Sequence, residues 1–317
     1  MNHLKSKILI SALFSGLALT TYADINVVAS VKPVHSFVSG VMEGVGKPDL
    51  IVQGSASPHT YSLKPSQAQQ LEDADLVFWM GYELESFLEK PLEAIATNAH
   101  VVELIDSSSL KKIKMREGGM FDAHAHDDHD EHEGHDDHHD HGHGEFDIHV
   151  WLDPENAKVL VNEIKLALIE KDPSNASTYE ANSKKINLKL DQLIDEVSAK
   201  LESEKGKGYV VFHDAYQYFE ERFGMSAVGS ITVSPEVVPG ANRIRELKEK
   251  IVDLNATCVF SEPQFEPKLV STVIEGTQAN TGVLDPLGAS IKDGPELYFT
   301  LIRNMANSLQ DCLSKKS

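Results

Sequence analysis

The sequence predicts an α/β protein of two lobes, each a mainly parallel sheet with flanking helices, joined by one long helix. Short apolar runs alternate with helical patterns in both halves of the 317-residue chain. A strand–helix–strand order of this kind is typical of parallel sheets with helices on both faces. A long, highly charged helical pattern lies between the two halves, and we therefore interpret it as a connector.

The N-terminal lobe is expected to span residues 24–172. Pro65 begins one of its helical patterns, at a position where the missing N–H costs little. The predicted strands are 25–30, 50–52, 76–79 and 101–104, and the predicted helices are 33–45, 65–74, 83–94 and 154–171. A further short apolar run, 148–152, precedes the last of these helices.

The connecting helix is expected to span residues 173–205. Apolar residues recur in it at helical spacing, and they are Ile186, Leu190, Ile194, Val197 and Leu201. A helix of about 30 residues is about 45 Å long, which is more than one small lobe needs. It therefore predicts a spine between two lobes, and such a stiff connector favours small lobe motion.

The C-terminal lobe is expected to span residues 206–317. Gly206 and Gly208 end the connecting helix, and a second series of strands and helices follows. The predicted strands are 209–212, 227–233, 257–261 and 282–284, and the predicted helices are 215–223, 242–252, 267–276 and 295–313. The two halves share no residue-level repeat, so we predict a similar fold without a duplication.

The charge and the N-terminal segment indicate the compartment. A net charge of -20 argues against nucleic acid and anionic membranes as partners and favours cations. Residues 1–23 are typical of a signal peptide: Lys5 and Lys7 precede the apolar run 8–19, and cleavage is expected after Ala23. No cysteine lies near that site. We therefore expect an exported, soluble protein without a lipid anchor.

A tract rich in histidine and acid interrupts the N-terminal lobe. Between residues 122 and 143 nine positions are His and nine are Asp or Glu, with neither Lys nor Arg. Imidazole and carboxylate are ligands of borderline divalent ions, and the tract has no apolar periodicity with which to form a core. It predicts a loop that binds metal. The alternative is a solvated acidic tract with incidental histidines.

Four residues outside the tract are candidate metal ligands. His59 follows the second predicted strand, His213 and Asp285 each follow a strand of the second lobe, and His149 lies where the tract ends. Ligands of open α/β sheets bind beyond the carboxyl ends of strands, so we expect a site between the lobes. Three imidazoles with a carboxylate or water suit zinc. The alternative for each histidine is an ordinary hydrogen-bonded loop residue.

Other polar residues have less direct roles. Glu262 follows strand 257–261 and is a candidate ligand or a carboxylate behind a ligand. Asp214 is a candidate cap of the next helix, and His35 and His100 are expected to be structural or solvated. Cys258 and Cys312 are the two cysteines of the chain. In an exported protein they are expected to pair, although two buried thiols or a metal site remain as alternatives.

Five ordered segments resemble zinc-specific substrate-binding proteins of bacterial ABC importers, the cluster A-I metal-binding family. They are SASPHTYSLKPSQAQQLEDADLVFWMGYELESFLEK, DIHVWLDPENA, KGYVVFHDAYQYFE, TCVFSEPQFEP and TGVLDPLGAS. The resemblance covers essentially the whole mature chain. It implies two α/β lobes joined by a rigid helix, with the metal in the cleft, and a disulfide between the two cysteines.

The resemblance also implies a ligand set. His59 in SPHTYSL, His149 in DIHVWL and His213 in VFHDAY match the zinc ligands. Asp285 in VLDPLG matches a carboxylate that ligates manganese in relatives and that water replaces in some zinc members. Those manganese relatives have Glu in place of His213, which favours zinc here. Some members have Glu beside the first histidine, where this chain has Pro58.

The resemblance implies a monomeric periplasmic protein of a high-affinity zinc uptake system. It would capture Zn²⁺ and deliver it to an ABC permease subunit in the inner membrane, with no catalysis of its own. Three alternatives are a zinc hydrolase with Glu262 as general base, a manganese or iron carrier or adhesin-type relative, and a zinc buffer that uses only the tract.

Overall fold

The computed structural model describes residues 25–116, 121, 146–232, 240–253, 256–265 and 268–315. The predicted signal peptide and the tract of residues 122–143 lie outside the described residues. None of the described helices combines the length and the apolar character that crossing a membrane requires.

The first half of the chain forms a parallel sheet that has four strands among the described residues. Strand β1 (Val27–Ala29) lies between β2 (Asp49–Leu50) and β3 (Leu76–Trp79), and β4 (His100–Glu103) forms the far edge. The residues of β1 and β3 are all buried, because helices cover both faces.

The helices of this half begin close to the predicted positions, and prolines occupy several first turns. They are α1 (Lys32–Val41), α2 (Pro65–Glu72), α3 (Tyr82–Ala94) and α4 (Pro154–Lys171). The Asp153 carboxylate caps α4 by accepting a hydrogen bond from the Glu155 amide at 2.9 Å. The apolar run before α4 forms a 3-10 turn, Val150–Leu152, because it pairs with neither sheet.

The connecting segment is one long α-helix with a short 3-10 turn at each end. Helix α5 (Ala176–Leu201) is flanked by 3-10 turns at Pro173–Asn175 and Glu202–Glu204. It packs against α1, α4 and the last helix of the chain. The buried face includes Leu193, whereas the predicted face had Ile194, which is only half-buried. The spacing of 3.6 residues per turn places Leu193 on the line between Leu190 and Val197.

The second half repeats the architecture, with a parallel sheet in the order β6-β5-β7-β8 among the described residues. Its strands are β5 (Tyr209–His213), β6 (Ala227–Thr232), β7 (Cys258–Ser261) and β8 (Asn280–Val283). Its helices are α6 (Gln217–Phe223), α7 (Ala241–Asp253), α8 (Lys268–Ile274) and α9 (Leu297–Leu313).

A disulfide joins Cys258 in β7 to Cys312 in α9, with 6.2 Å between the two Cα atoms. The predicted pairing is therefore confirmed, and the alternatives of free thiols or a cysteine metal site are wrong. The bond attaches the last helix to the middle of the second sheet.

Side chains from both halves pack into one continuous apolar core. The Tyr298 ring of α9 lies against Phe37 of α1, with 4.6 Å between ring centroids, and its hydroxyl donates to the Trp151 carbonyl at 2.7 Å. The predicted fold class, two parallel-sheet lobes with a long helix between them, is confirmed. The boundaries of the lobes along the chain stay a prediction.

Candidate metal centre

Three of the predicted ligands come from three different elements. His59 lies in the 3-10 turn Pro58–Thr60, which follows β2. His149 is the residue before the turn Val150–Leu152, and His213 is the last residue of β5. His213 therefore lies at the carboxyl end of a sheet strand, whereas His59 lies within a 3-10 turn and His149 directly before one.

The three imidazoles meet at one point. His59, His149 and His213 each offer a nitrogen, and these nitrogens all lie within 4.8 Å of one another. His149 Nε2 and His213 Nε2 lie 3.5 Å apart. His213 is 4% and His149 7% exposed, and His59 is half-buried. The 3.5 Å separation of His149 Nε2 and His213 Nε2 fits two nitrogens bound to one ion at about 2.0–2.1 Å each.

The His213 ring is held by Glu262. The Glu262 Oε1 atom lies 2.7 Å from His213 Nδ1, which leaves Nε2 toward the other imidazoles. Glu262 directly follows β7, the neighbour of β5 in the sheet, so both residues sit on one rigid support. The Glu262 carboxylate is 1% exposed. The structure thus places it behind a candidate ligand, one of the two roles that the sequence suggested.

The His149 ring is held by a residue that the sequence analysis missed. The Asp147 Oδ1 atom lies 2.7 Å from His149 Nδ1 and accepts from the His149 backbone N–H at 3.0 Å. A carboxylate two residues before a candidate histidine, as in FDIH, is the signal that could have found it. Both buried imidazoles therefore have the carboxylate–histidine arrangement that fixes the tautomer of metal-binding histidines.

The remaining walls of the site are mostly apolar. They enclose a pocket of about 250 Å³, part of it open to solvent. The Trp151 ring lies against His149, with 5.2 Å between centroids. Apolar lining comes from both halves of the chain, through Leu84, Trp151, Phe265, Pro286 and Leu287. Such walls reduce water access and strengthen electrostatic interactions at the site.

The pKa values of His59 and His213 are shifted in opposite directions. Burial, followed by the neighbouring His149 and His213, lowers the pKa of His59 to about 2, so this ring is neutral and ready to ligate. Burial also lowers the pKa of His213, but the carboxylates of Glu262, Asp214 and Asp147, with Glu262 contributing most, together outweigh it, and the net shift of the pKa is upward. A proton therefore competes with a metal ion at His213 more than at His59.

Asp285 is not part of this histidine cluster, and it directly precedes Pro286 and Leu287, which line the pocket. Its Oδ1 accepts from the Gly288 amide at 2.8 Å and from Gln264 Nε2 at 3.0 Å. Its Oδ2 accepts from the Ala289 amide at 2.6 Å. The carboxylate thus organises the turn that carries Pro286 and Leu287 to the pocket, and its role as a ligand stays a prediction.

The other polar residues named from sequence lie elsewhere. Asp214 pairs with Arg116, whose Nε donates to Asp214 Oδ2 at 3.0 Å, so its side chain binds a guanidinium and does not cap a helix. His35 is buried, with Nε2 3.1 Å from the Pro48 carbonyl. His100 is exposed at the start of β4.

The chain matches a known family over most of its length. The model of ZnuA, described as the zinc-uptake complex component A, periplasmic, matches residues 27–312. High-affinity zinc uptake system protein ZnuA of Brucella suis is 56% identical over 334 residues, covering 99% of this chain and 100% of the relative. The protein of the same name from Yersinia pestis is 37% identical, with 92% of each chain covered.

A solved structure supports the fold. The periplasmic zinc-binding protein TroA from Treponema pallidum superimposes with a TM-score of 0.76 at 19% identity, covering 92% of this chain and all of the other. At this identity the likeness concerns the fold alone. Together with the family match over residues 27–312, these findings establish that the chain belongs to the ZnuA family of periplasmic zinc-uptake components.

Proposed function

We propose that this protein captures Zn²⁺ in the periplasm and delivers it to an ABC permease subunit in the inner membrane. The observation that carries the proposal is the convergence of His59, His149 and His213 to within 4.8 Å. Curated relatives at 56% and 37% identity carry the name of a high-affinity zinc uptake protein, which supports the same cargo.

The donor set favours zinc over other divalent ions. Three neutral imidazoles suit a borderline ion, whereas manganese prefers carboxylate and carbonyl oxygens. Both buried rings have their Nδ1 engaged by carboxylates, which raises the basicity of Nε2 and fixes its direction. The manganese or iron carrier is therefore the weaker alternative.

The fourth ligand is Asp285 or a water molecule. Asp285 follows β8 on the same sheet as His213, which supports its candidacy. Its oxygens already accept from backbone amides, but each carboxylate oxygen has more than one lone pair. A water would need no rearrangement of the turn. Either ligand completes a four-coordinate site that lacks thiolates and so remains able to release its ion.

The hydrolase alternative needs a general base beside the metal. Glu262 was the candidate, but its Oε1 lies 2.7 Å from His213 Nδ1 and its side chain is 1% exposed. This arrangement favours an orienting role over proton transfer from water. We therefore propose a binding protein, and we further propose that it acts as a monomer without a lipid anchor.

We also propose a role for the tract of residues 122–143, motivated by its nine histidines. It would collect zinc weakly and at several sites near the cleft, and so raise the local supply of the ion. Its candidate ligands are numerous and follow no regular spacing along the sequence, which favours low selectivity. The cleft would then supply the selectivity and the tight binding.

Zinc titration by calorimetry tests both proposals. The mature chain would be compared with a variant lacking residues 122–143 and with a variant whose tract histidines are all changed to Asn. We expect one tight site in all three proteins and weak sites only in the first. If the tight site disappears with the tract, the cleft assignment is wrong and the zinc buffer is the better function. Unchanged stoichiometry in both variants would reject the role of the tract.

A further inference from the structure

The two buried histidines differ in where their support comes from. The carboxylate that holds His213 belongs to Glu262, one strand away in the same sheet. The carboxylate that holds His149 belongs to Asp147, which precedes α4 in the first half of the chain. Asp147 is supported within the first half by the His149 amide, and it is also held by helix α6 of the second half.

Two neighbouring residues of α6 hold Asp147. Gln217 Nε2 donates to Asp147 Oδ2 at 3.2 Å, while the other oxygen of that carboxylate, Oδ1, binds the His149 ring. The Tyr218 hydroxyl donates to the Asp147 carbonyl at 2.7 Å. Asp147 is 2% exposed and Gln217 is 7% exposed. Water therefore has little access to replace the glutamine contact.

The contact between Gln217 and Asp147 joins the two halves of the protein. Gln217 is the first residue of α6, and α6 follows β5, whose last residue is His213. The segment formed by β5 and α6 thus carries the candidate ligand His213. It also carries Gln217, which donates to Asp147, the carboxylate that binds the His149 ring. The orientation of His149 depends on that segment remaining in contact with the first half.

We propose that Gln217 is a positioning residue that couples the orientation of His149 to contact between the two halves of the protein. While the halves touch, Gln217 holds Asp147, Asp147 holds the His149 ring, and Nε2 faces the ion. When they separate, Asp147 loses the Gln217 donor on Oδ2 and keeps only the local His149 amide on Oδ1, so the ring is held less firmly and the ion is released. This inference rests on the proposed zinc function.

Replacing Gln217 with methionine provides a sharp test. Methionine has a similar length and no N–H donor, so packing is preserved while the hydrogen bond is lost. The matched control is Gln310→Met, because Gln310 Nε2 donates to the Lys200 carbonyl at the same 3.2 Å but joins α9 to α5 away from the histidines. Both changes would be made in the protein lacking residues 122–143.

The primary measurement is the rate of zinc release to a chelator. Direct partners of metal-binding histidines typically change affinity about 10–100-fold, and for a residue one contact further away we expect about 3- to 10-fold faster release. Gln310→Met should leave the rate unchanged. Equal rates for Gln217→Met and Gln310→Met would overturn the proposal. A wild-type protein without tight zinc binding would instead reject the proposed function itself.

A double-mutant cycle separates positioning from a general loss of stability. If Gln217 acts through Asp147, then Gln217→Met should have no further effect on zinc release in an Asp147→Asn background. Additive effects would contradict the proposal. In the zinc-free protein, nitrogen-labelled imidazole spectra should show a protected Nδ1–H of His149 that Gln217→Met weakens. Persistence of that signal at wild-type strength would also contradict it.

Discussion

His59 and His213 reach the same pocket from different halves of the protein, and their pKa values are shifted in opposite directions. Burial and the two neighbouring imidazoles lower the pKa of His59 to about 2. At His213 burial acts in the same direction, but the nearby carboxylates, with Glu262 at 2.7 Å contributing most, together outweigh it and raise the pKa. The second half thus supplies its own counter-charge to the site, and His59 depends on remaining uncharged.

This difference assigns complementary tasks to the two histidines. A neutral His59 costs no proton when it binds an ion, so it favours capture at any pH near neutrality. His213 has a fixed direction and a carboxylate that offsets part of the charge of a bound cation. Its raised pKa makes the same residue the point at which acid competes with zinc. The predictions below test this division, beginning with the largest effect.

Replacing His213 with alanine should weaken cleft zinc binding by more than about 100-fold, because losing a ligand exceeds the loss of an outer partner. Calorimetry on the protein lacking residues 122–143 would measure it. His100→Ala is the matched control, since His100 is exposed in β4. This control variant should bind zinc as the unchanged protein does. In the full chain, zinc bound by the tract should persist. Equal loss in both variants would exclude His213 from the site.

Zinc affinity should fall as the pH drops through the raised pKa of His213. Glu262→Gln removes the main cause of that raised pKa, so the acid limit of binding should move to lower pH. At neutral pH the same variant should bind about 10- to 100-fold more weakly, because the ring loses its orientation. Affinity measured over a pH series would separate the two effects, and an acid limit that does not move would contradict this account.

In the zinc-free protein the two histidines should also change stability in opposite senses. The raised pKa of His213 stabilises the fold fully below the unfolded pKa near 6.5, and this contribution is lost as the pH rises through the folded value. His59 is lowered, so its contribution falls as the pH drops below about 6.5. Proton titration of the imidazoles by NMR should find that His213 titrates and that His59 stays neutral.

Removing the disulfide should have the smallest effect on zinc. Cys258→Ser with Cys312→Ser should lower the free energy of unfolding by roughly 2–4 kcal/mol, since the bond closes a loop of 54 residues in sequence. The cleft affinity should change by less than about 2-fold, because Glu262 and His213 remain fixed by pairing of β5 with β7. Denaturation and calorimetry on the same samples would measure both, and a large loss of affinity would tie the disulfide to the site.

Much of the fold followed from local patterns. The alternation of apolar runs and helical patterns predicted every strand named above, most directly β1, β3 and β5, whose residues are all buried. The limits of elements were less accurate. The expected strand 50–52 is only Asp49–Leu50, and the long connecting pattern is α5 with 3-10 turns at both ends. End geometry depends on contacts with distant parts of the chain, which sequence patterns do not contain.

The candidate site, like the fold, was predicted only in part from the sequence. By itself the sequence selected the three histidines that the structure brings together, because each stands near the predicted limit of an element and within a recognisable motif. Only the tertiary structure decided which carboxylates support them, since Glu262 lies 49 residues from His213 and Gln217 lies 70 residues from Asp147. Those contacts exist because the folded halves bring distant segments within hydrogen-bond distance.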